Sequence, residues 1–170
     1  MIARYETIRK WLLYAAATAL CFLLQGGLLQ RLMFWGIIPF LYPLLAAIPS
    51  TYEGPLAGTI FSLAVGVVCD LLLPGPIPCL HTLIFPLIGL CGGLLSQSWL
   101  PAGFLCSLVS AAAAFVLTDG FRCLLLWMRG KAAWQAGAIV AMREFCVTMP
   151  LIIPLTLLYR SVFRKTHIDD

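Results

Sequence analysis

Charge is what this sequence has least of. Only 11% of its 170 residues are Asp, Glu, Lys or Arg, where a soluble domain carries about 25%. With 62% hydrophobic residues beside so few charges, the chain has too little polar surface to clothe a water-soluble globule, so lipid must cover part of it. Histidine is almost missing: His81 and His167 are the only two. The sequence therefore offers no Ser/His/Asp arrangement and no His-Glu-x-x-His zinc helix, and it has no phosphate-binding glycine loop. No catalytic residues and no enzymatic activity are expected. Cysteine is present but unpatterned. Cys21, Cys69, Cys79, Cys91, Cys106, Cys123 and Cys146 are odd in number and contain no Cys-x-x-Cys pair, which argues against a disulfide framework or a zinc site. They read as small apolar residues. The nearest thing to a ligand pair, Cys79 and His81 in a proline-rich loop, does not make a metal site alone. No cofactor, metal or small-molecule substrate is expected. Nothing resembles a basic face with aromatic platforms, so nucleic acid is not an expected partner.

What the sequence does have is apolar runs of membrane length. A spanning helix needs about 20 mostly apolar residues. Six stretches qualify approximately: 11–29, 32–49, 55–73, 80–96, 102–128 and 145–159. The fold class is thus an all-α integral membrane protein, a compact bundle of about six transmembrane helices forming one polytopic domain over 1–170. The second stretch contains Pro39 and Pro43 and should be kinked or broken. Pro74, Pro76 and Pro78 make a loop. The uncharged segment 132–142 is too short to cross and is expected to lie at the interface, with Trp134 at headgroup level. The first apolar run follows a basic stretch, as a signal peptide would, but it is too long for one and reads as an uncleaved helix. Basic residues gather at both ends, with Arg4, Arg9 and Lys10 at the start and Arg160, Arg164 and Lys165 at the finish. By the positive-inside rule both termini belong in the cytoplasm.

Two patterns say more than membrane. In the third stretch Gly54, Gly58, Ser62, Gly66 and Asp70 recur every four residues, so they share a helical face. Small residues let helix backbones approach closely where lipid gives no hydrophobic drive. This face should pack on another helix, either within the bundle or on a partner protein. Shorter versions are Ala15 and Ala19, then Gly89 and Gly93, then Gly103, Ser107 and Ala111. The second pattern is charge inside spans. Asp70 lies 16 residues past Gly54, and Asp119 lies 18 past Pro101, so both stand roughly 25 Å along their helices. Arg122 follows one turn after Asp119. A buried ion-pair cluster of Asp70, Asp119 and Arg122 is the expected arrangement, with a proton or ion site as the functional alternative.

The segment Glu53-Gly54-Pro55-Leu56-Ala57-Gly58, then Phe61, Gly66 and Asp70-Leu71-Leu72, resembles the rod shape-determining protein MreD family. So do Leu24-Gln25, Pro39, the helix containing Leu87-Ile88-Gly89-Leu90-Cys91-Gly92-Gly93, and Pro154, Leu158 and Tyr159 ahead of a basic tail. Pro43, and Phe40 directly after Pro39, depart from the family pattern, and 129–143 matches no motif in it. The resemblance implies a non-enzymatic scaffold of the cell-elongation machinery in the bacterial cytoplasmic (inner) membrane. Its implied partners, besides membrane lipid, are an MreC-like protein, the actin-like MreB and the cell-wall peptidoglycan synthases. A different class is the substrate-binding S component of an energy-coupling-factor vitamin transporter. Those proteins often carry an Ala-x-x-x-Ala pattern in the first helix, which Ala15 and Ala19 match. A third is an accessory subunit of some other membrane complex.

Overall fold

A computed structural model of the chain describes residues 2–31, 36–73, 78–130 and 134–166. Its regular structure is helical, and no strand is found among the described residues. The helices are α1 (Ile2–Gly27), α2 (Tyr42–Glu53), α3 (Pro55–Leu72), α4 (Leu80–Ser98), α5 (Phe104–Met128), α6 (Trp134–Thr148) and α7 (Ile152–Thr166). Single 3₁₀ turns, Leu29–Arg31 and Met149–Leu151, follow α1 and join α6 to α7. Proline starts α3, where the missing N–H would have had no helical partner anyway. Gly54 divides α2 from α3 at φ 83°, a left-handed conformation that glycine adopts without strain.

Among the described residues five stretches are long and apolar enough to cross a membrane: Thr7–Arg31, Pro55–Leu72, Leu80–Ser98, Phe104–Met128 and Gly137–Thr166. Large apolar side chains stand outward on them, among them Leu23, Leu56, Leu71, Leu83 and Val116. This is the inside-out surface expected of a protein solvated by hydrocarbon.

Two expectations are corrected. The stretch 32–49 is not a spanning helix. Residues 32–35 lie outside the described residues, 38–41 are non-helical, and α2 has only 12 residues. At about 1.5 Å per residue it covers roughly 18 Å, well short of a bilayer core of about 30 Å. It is instead the centre of the bundle. Every residue from Tyr42 to Thr51 is buried, and α1, α3, α4, α5 and α7 all pack on it. Hydropathy rises equally for a helix facing lipid and for one enclosed by other helices, which is why the stretch looked like a span. The segment 132–142 is likewise not a separate interfacial helix. Its described part opens α6, which runs through the turn at Pro150 into α7 as one long, broken element.

Helices consecutive in the chain run antiparallel from α1 to α6. Lys10 at the start of α1 meets Glu53 at the end of α2. Leu95 and Val109 border one cavity between α4 and α5, with Ile88 and Leu117 further along it. Phe115 of α5 meets Phe145 of α6, and Tyr14 of α1 stacks on Tyr159 of α7. One end of the bundle thus holds Lys10, Glu53, Trp99, Phe104 and Lys165. The other holds Gln25, Asp70, His81 and Arg122.

Candidate functional site

The small-residue face of α3 packs inside the molecule. A Cβ on Gly58 would stand 2.5 Å from that of Ser50 in α2, and one on Gly66 would stand 2.6 Å from the His81 carbonyl oxygen in α4. From the α4 side, Gly89 abuts Ser62, and Gly93 abuts the backbone of Pro55. These are backbone-to-backbone approaches that only glycine permits. The Ser62 hydroxyl donates to the Ala46 carbonyl at 2.8 Å, tying α3 to α2 as well. Of the two roles open to Gly54, Gly58, Ser62, Gly66 and Asp70, packing within the bundle is the one these contacts fill. Gly89 and Gly93 are the matching half of the seam, while Gly92 faces Ser50 and Ala47 of α2.

Asp70 ends this face and does not reach Arg122. Its carboxylate turns to the start of α4. One oxygen accepts from the His81 amide at 3.2 Å and from His81 Nδ1 at 2.8 Å. The other accepts from the Thr82 amide at 2.8 Å and the Thr82 hydroxyl at 2.6 Å. A carboxylate only accepts, so Nδ1 carries the proton. The reason is local. The first amides of any helix lack partners, and α4 begins after Cys79, which supplies no side-chain cap. Asp70 provides the missing acceptor from the preceding helix, and its negative charge suits the positive end of the helix dipole. The expected cluster of Asp70 with Asp119 and Arg122 is therefore split. α2 and α4, which both pack against α3 and α5, lie between the two helices.

A second polar arrangement escaped the sequence reading. The non-helical stretch before α2 leaves backbone groups outside any helix, and a buried one must find a partner. Gln25 of α1, buried, supplies two. Its amide nitrogen donates to the Pro39 carbonyl at 2.7 Å, and its oxygen accepts from the Leu41 amide at 3.2 Å. Thr148, at the break between α6 and α7, accepts from the Phe40 amide at 3.1 Å and donates to the Glu144 carbonyl at 2.7 Å. Two side chains from distant helices thus complete a strand-like segment that has no sheet.

The opposite end is joined by charge and aromatic contact. Lys10 forms an ion pair with Glu53, whose side chain is only 5% exposed. Tyr14 lies in an aromatic group with Trp11, Phe61 and Tyr159. The Thr18 and Tyr159 hydroxyls are 2.9 Å apart, fastening α1 to α7.

Asp119 and Arg122 sit on the C-terminal half of α5, on the side of α6. Asp119 is 7% exposed, and Glu144 of α6 is 9% exposed. Two cavities of about 350 and 260 Å³ lie between the helices. Asp119, Cys123 and Ala141 border both, and Arg122 and Glu144 border the smaller. Arg122 is exposed. Among the described residues neither carboxylate accepts a hydrogen bond or forms an ion pair at contact distance. The helices are in close contact at Gly137, where a Cβ would stand 2.8 Å from Cys123 Sγ. Glu144 was not foreseen as a member of this group. The signal was the direct succession of Arg143 and Glu144 at the edge of an apolar run.

Among the described residues no three His, Cys, Asp or Glu side chains are grouped so as to hold a metal ion. Cys79 is exposed, and His81 is committed to Asp70. Compared with protein families, curated proteins and solved structures, the chain matches none of them.

Proposed function

We propose that this protein is a non-enzymatic scaffold of the bacterial cell-elongation machinery, embedded in the cytoplasmic membrane with both termini in the cytoplasm. In this role it holds an MreC-like protein, MreB and peptidoglycan synthases together and so helps maintain rod shape. One observation carries the reading: the residues behind the resemblance to the MreD family meet each other in the fold. Gln25 hydrogen-bonds the Pro39 carbonyl. The face from Gly54 to Asp70 packs on the glycine-rich α4 through Gly89 and Gly93. Motif residues scattered along a membrane protein by chance have no reason to pair this way. The test is to tag the C-terminus, solubilise native membranes gently and identify what co-purifies. MreC-like and wall-synthase proteins are the expected recovery. A pair of ATPases with a membrane coupling subunit would overturn it.

That second outcome corresponds to the S component of a vitamin transporter, and one observation favours it. Ala15 and Ala19 border a cavity of about 190 Å³ between α1 and α3, together with Thr18, Phe61 and Ala64. Small residues on an open lateral groove would suit docking to a coupling subunit.

A further inference from the structure

The α3–α4 seam is occupied by the protein itself, so a scaffold needs another face for its partners. The cleft between α5 and α6 is unlike the rest of the bundle. It is walled by Ala112, Phe115, Val116 and Met142, yet two acidic residues more than nine-tenths buried border its cavities, and among the described residues neither has a hydrogen-bond donor. Buried carboxylates in a membrane are costly and ordinarily meet a cation. Among the described residues that line the cleft, the two carboxyl groups face one cation, Arg122, so one of them has no charged partner there. Asp119 is 15 residues past Phe104, so it stands about 22 Å along a crossing of about 30 Å. Whatever supplies the charge must therefore do so within the membrane. A second copy of this chain would bring the same excess of negative charge on the same face and would not neutralise it.

We infer that the α5–α6 cleft receives a partner's transmembrane helix, and that a Lys or Arg of that helix reaches Asp119 and Glu144. The inference rests on the scaffold reading and names the surface through which one partner is held. Apolar contact with Phe115, Val116 and Met142 aligns the helix, and the basic side chain fixes its depth and partner identity, since a neutral helix leaves both carboxylates as they were.

The test uses the full-length protein in vesicles of phosphatidylcholine and phosphatidylglycerol, with a fluorescent donor on a C-terminal tag. The probe is a Leu/Ala transmembrane peptide of about 21 residues, labelled with an acceptor. It carries one Lys a turn from its end, and its control carries Gln there. Energy transfer should show the Lys peptide binding about five- to thirtyfold more tightly than the Gln peptide. Asp119→Asn with Glu144→Gln should abolish that difference. Ala141→Leu keeps both charges but fills the cleft, and should weaken both peptides. It carries the test if the double variant fails to insert. Equal binding of the two peptides, or a difference that survives the double variant, overturns the proposal. So does self-association of the protein that Arg122→Gln abolishes, because the occupant is then a second copy. A failure here with MreC-like and wall-synthase proteins still recovered on the tagged protein removes the cleft and leaves the scaffold. Recovery of transporter ATPases removes the scaffold whatever the peptides do.

Discussion

Removing the carboxylate at position 70 is the most direct perturbation of this fold. Asp70→Ala deletes four hydrogen bonds and leaves the His81 and Thr82 amides without acceptors at the first turn of α4. A hydrogen bond to a charged group contributes about 1.5–3 kcal/mol, and loss of an ordinary N-cap costs about 0.5–2 kcal/mol. The Asp70 side chain is 14% exposed, so water recovers part of the loss, and a net destabilisation of about 3 kcal/mol is expected. For a chain of this size that lowers the unfolding midpoint by about 6–12 °C. The assay is reaction of a thiol-specific dye with buried Cys21, Cys69 and Cys106 on heating in detergent. Cys79, Cys91, Cys123 and Cys146 are first changed to serine so that only unfolding is read. Asp70→Asn keeps an acceptor oxygen and should fall about half as far. Thr82→Ala loses one side-chain bond and should fall by about 2–4 °C. A midpoint for Asp70→Ala no lower than that for Thr82→Ala would refute the capping argument.

Exchanging charges as Asp70→Arg with Arg122→Asp should rescue neither single change in the same melt, because the two residues serve different helix pairs. Gly93→Ala, which drives a methyl into the Pro55 backbone, should cost about 1–3 kcal/mol. Gly26→Ala meets nothing within 4 Å and should be neutral or slightly stabilising, so equal midpoints for the two would refute the close-packed seam. Gln25→Leu strands the Pro39 carbonyl and the Leu41 amide in an apolar setting. It should destabilise by about 2–4 kcal/mol, read as a lower midpoint than Gln30→Leu, which changes an exposed residue. Cys79 is exposed at the end away from the termini. A membrane-impermeant maleimide should therefore label it from outside intact spheroplasts, and labelling only after lysis would reverse the orientation.

Where the sequence and the structure agree, the cause is local. The span at 55–73 is α3 within a residue, and 80–96 and 102–128 end within two residues of α4 and α5. Each is an apolar run closed by proline, glycine or a polar residue, and length alone decides whether it crosses. The four-residue repeat of small side chains also carried its meaning, because i and i+4 must share a face. The failures are non-local. Nothing between 36 and 41 shows that its backbone partners are Gln25 and Thr148, 14 and 108 residues away from the atoms they bond. Without those partners a helix was the cheaper assumption for an apolar stretch. Asp70 is a different case. Its partners lie only 11 and 12 residues on, and a helix beginning after a proline loop with no Ser, Thr, Asp or Asn at its cap already asks for an outside acceptor. Depth along the helix correctly put Asp70 and Asp119 at the same end, but equal depth does not make two residues neighbours. The intervening α2 and α4 could not be seen as a barrier while α2 was taken for one more spanning helix.

The placement of the broken elements gives the bundle two unequal parts. α2, α3 and α4 are locked by glycine contacts, by Ser62 on the Ala46 carbonyl and by the Asp70 cap, leaving little freedom for them to slide. α6 is different, since its packing among the helices is chiefly on α5, and half of its residues from Gly137 onward are exposed. It connects to α7 through a 3₁₀ turn at Pro150, where the helical hydrogen-bond ladder is interrupted. A helix hinged at one end and held on one side can shift against its neighbour without disturbing the core. The buried carboxylates of Asp119 and Glu144 stand on the two sides of that movable contact. Thr148 sits at the hinge and bonds both the Glu144 carbonyl and the Phe40 amide, so displacement of α6 is linked to the non-helical entry of α2. A partner helix drawn into the cleft would be felt at the centre of the bundle through that one hydroxyl, without any movement of the glycine seam.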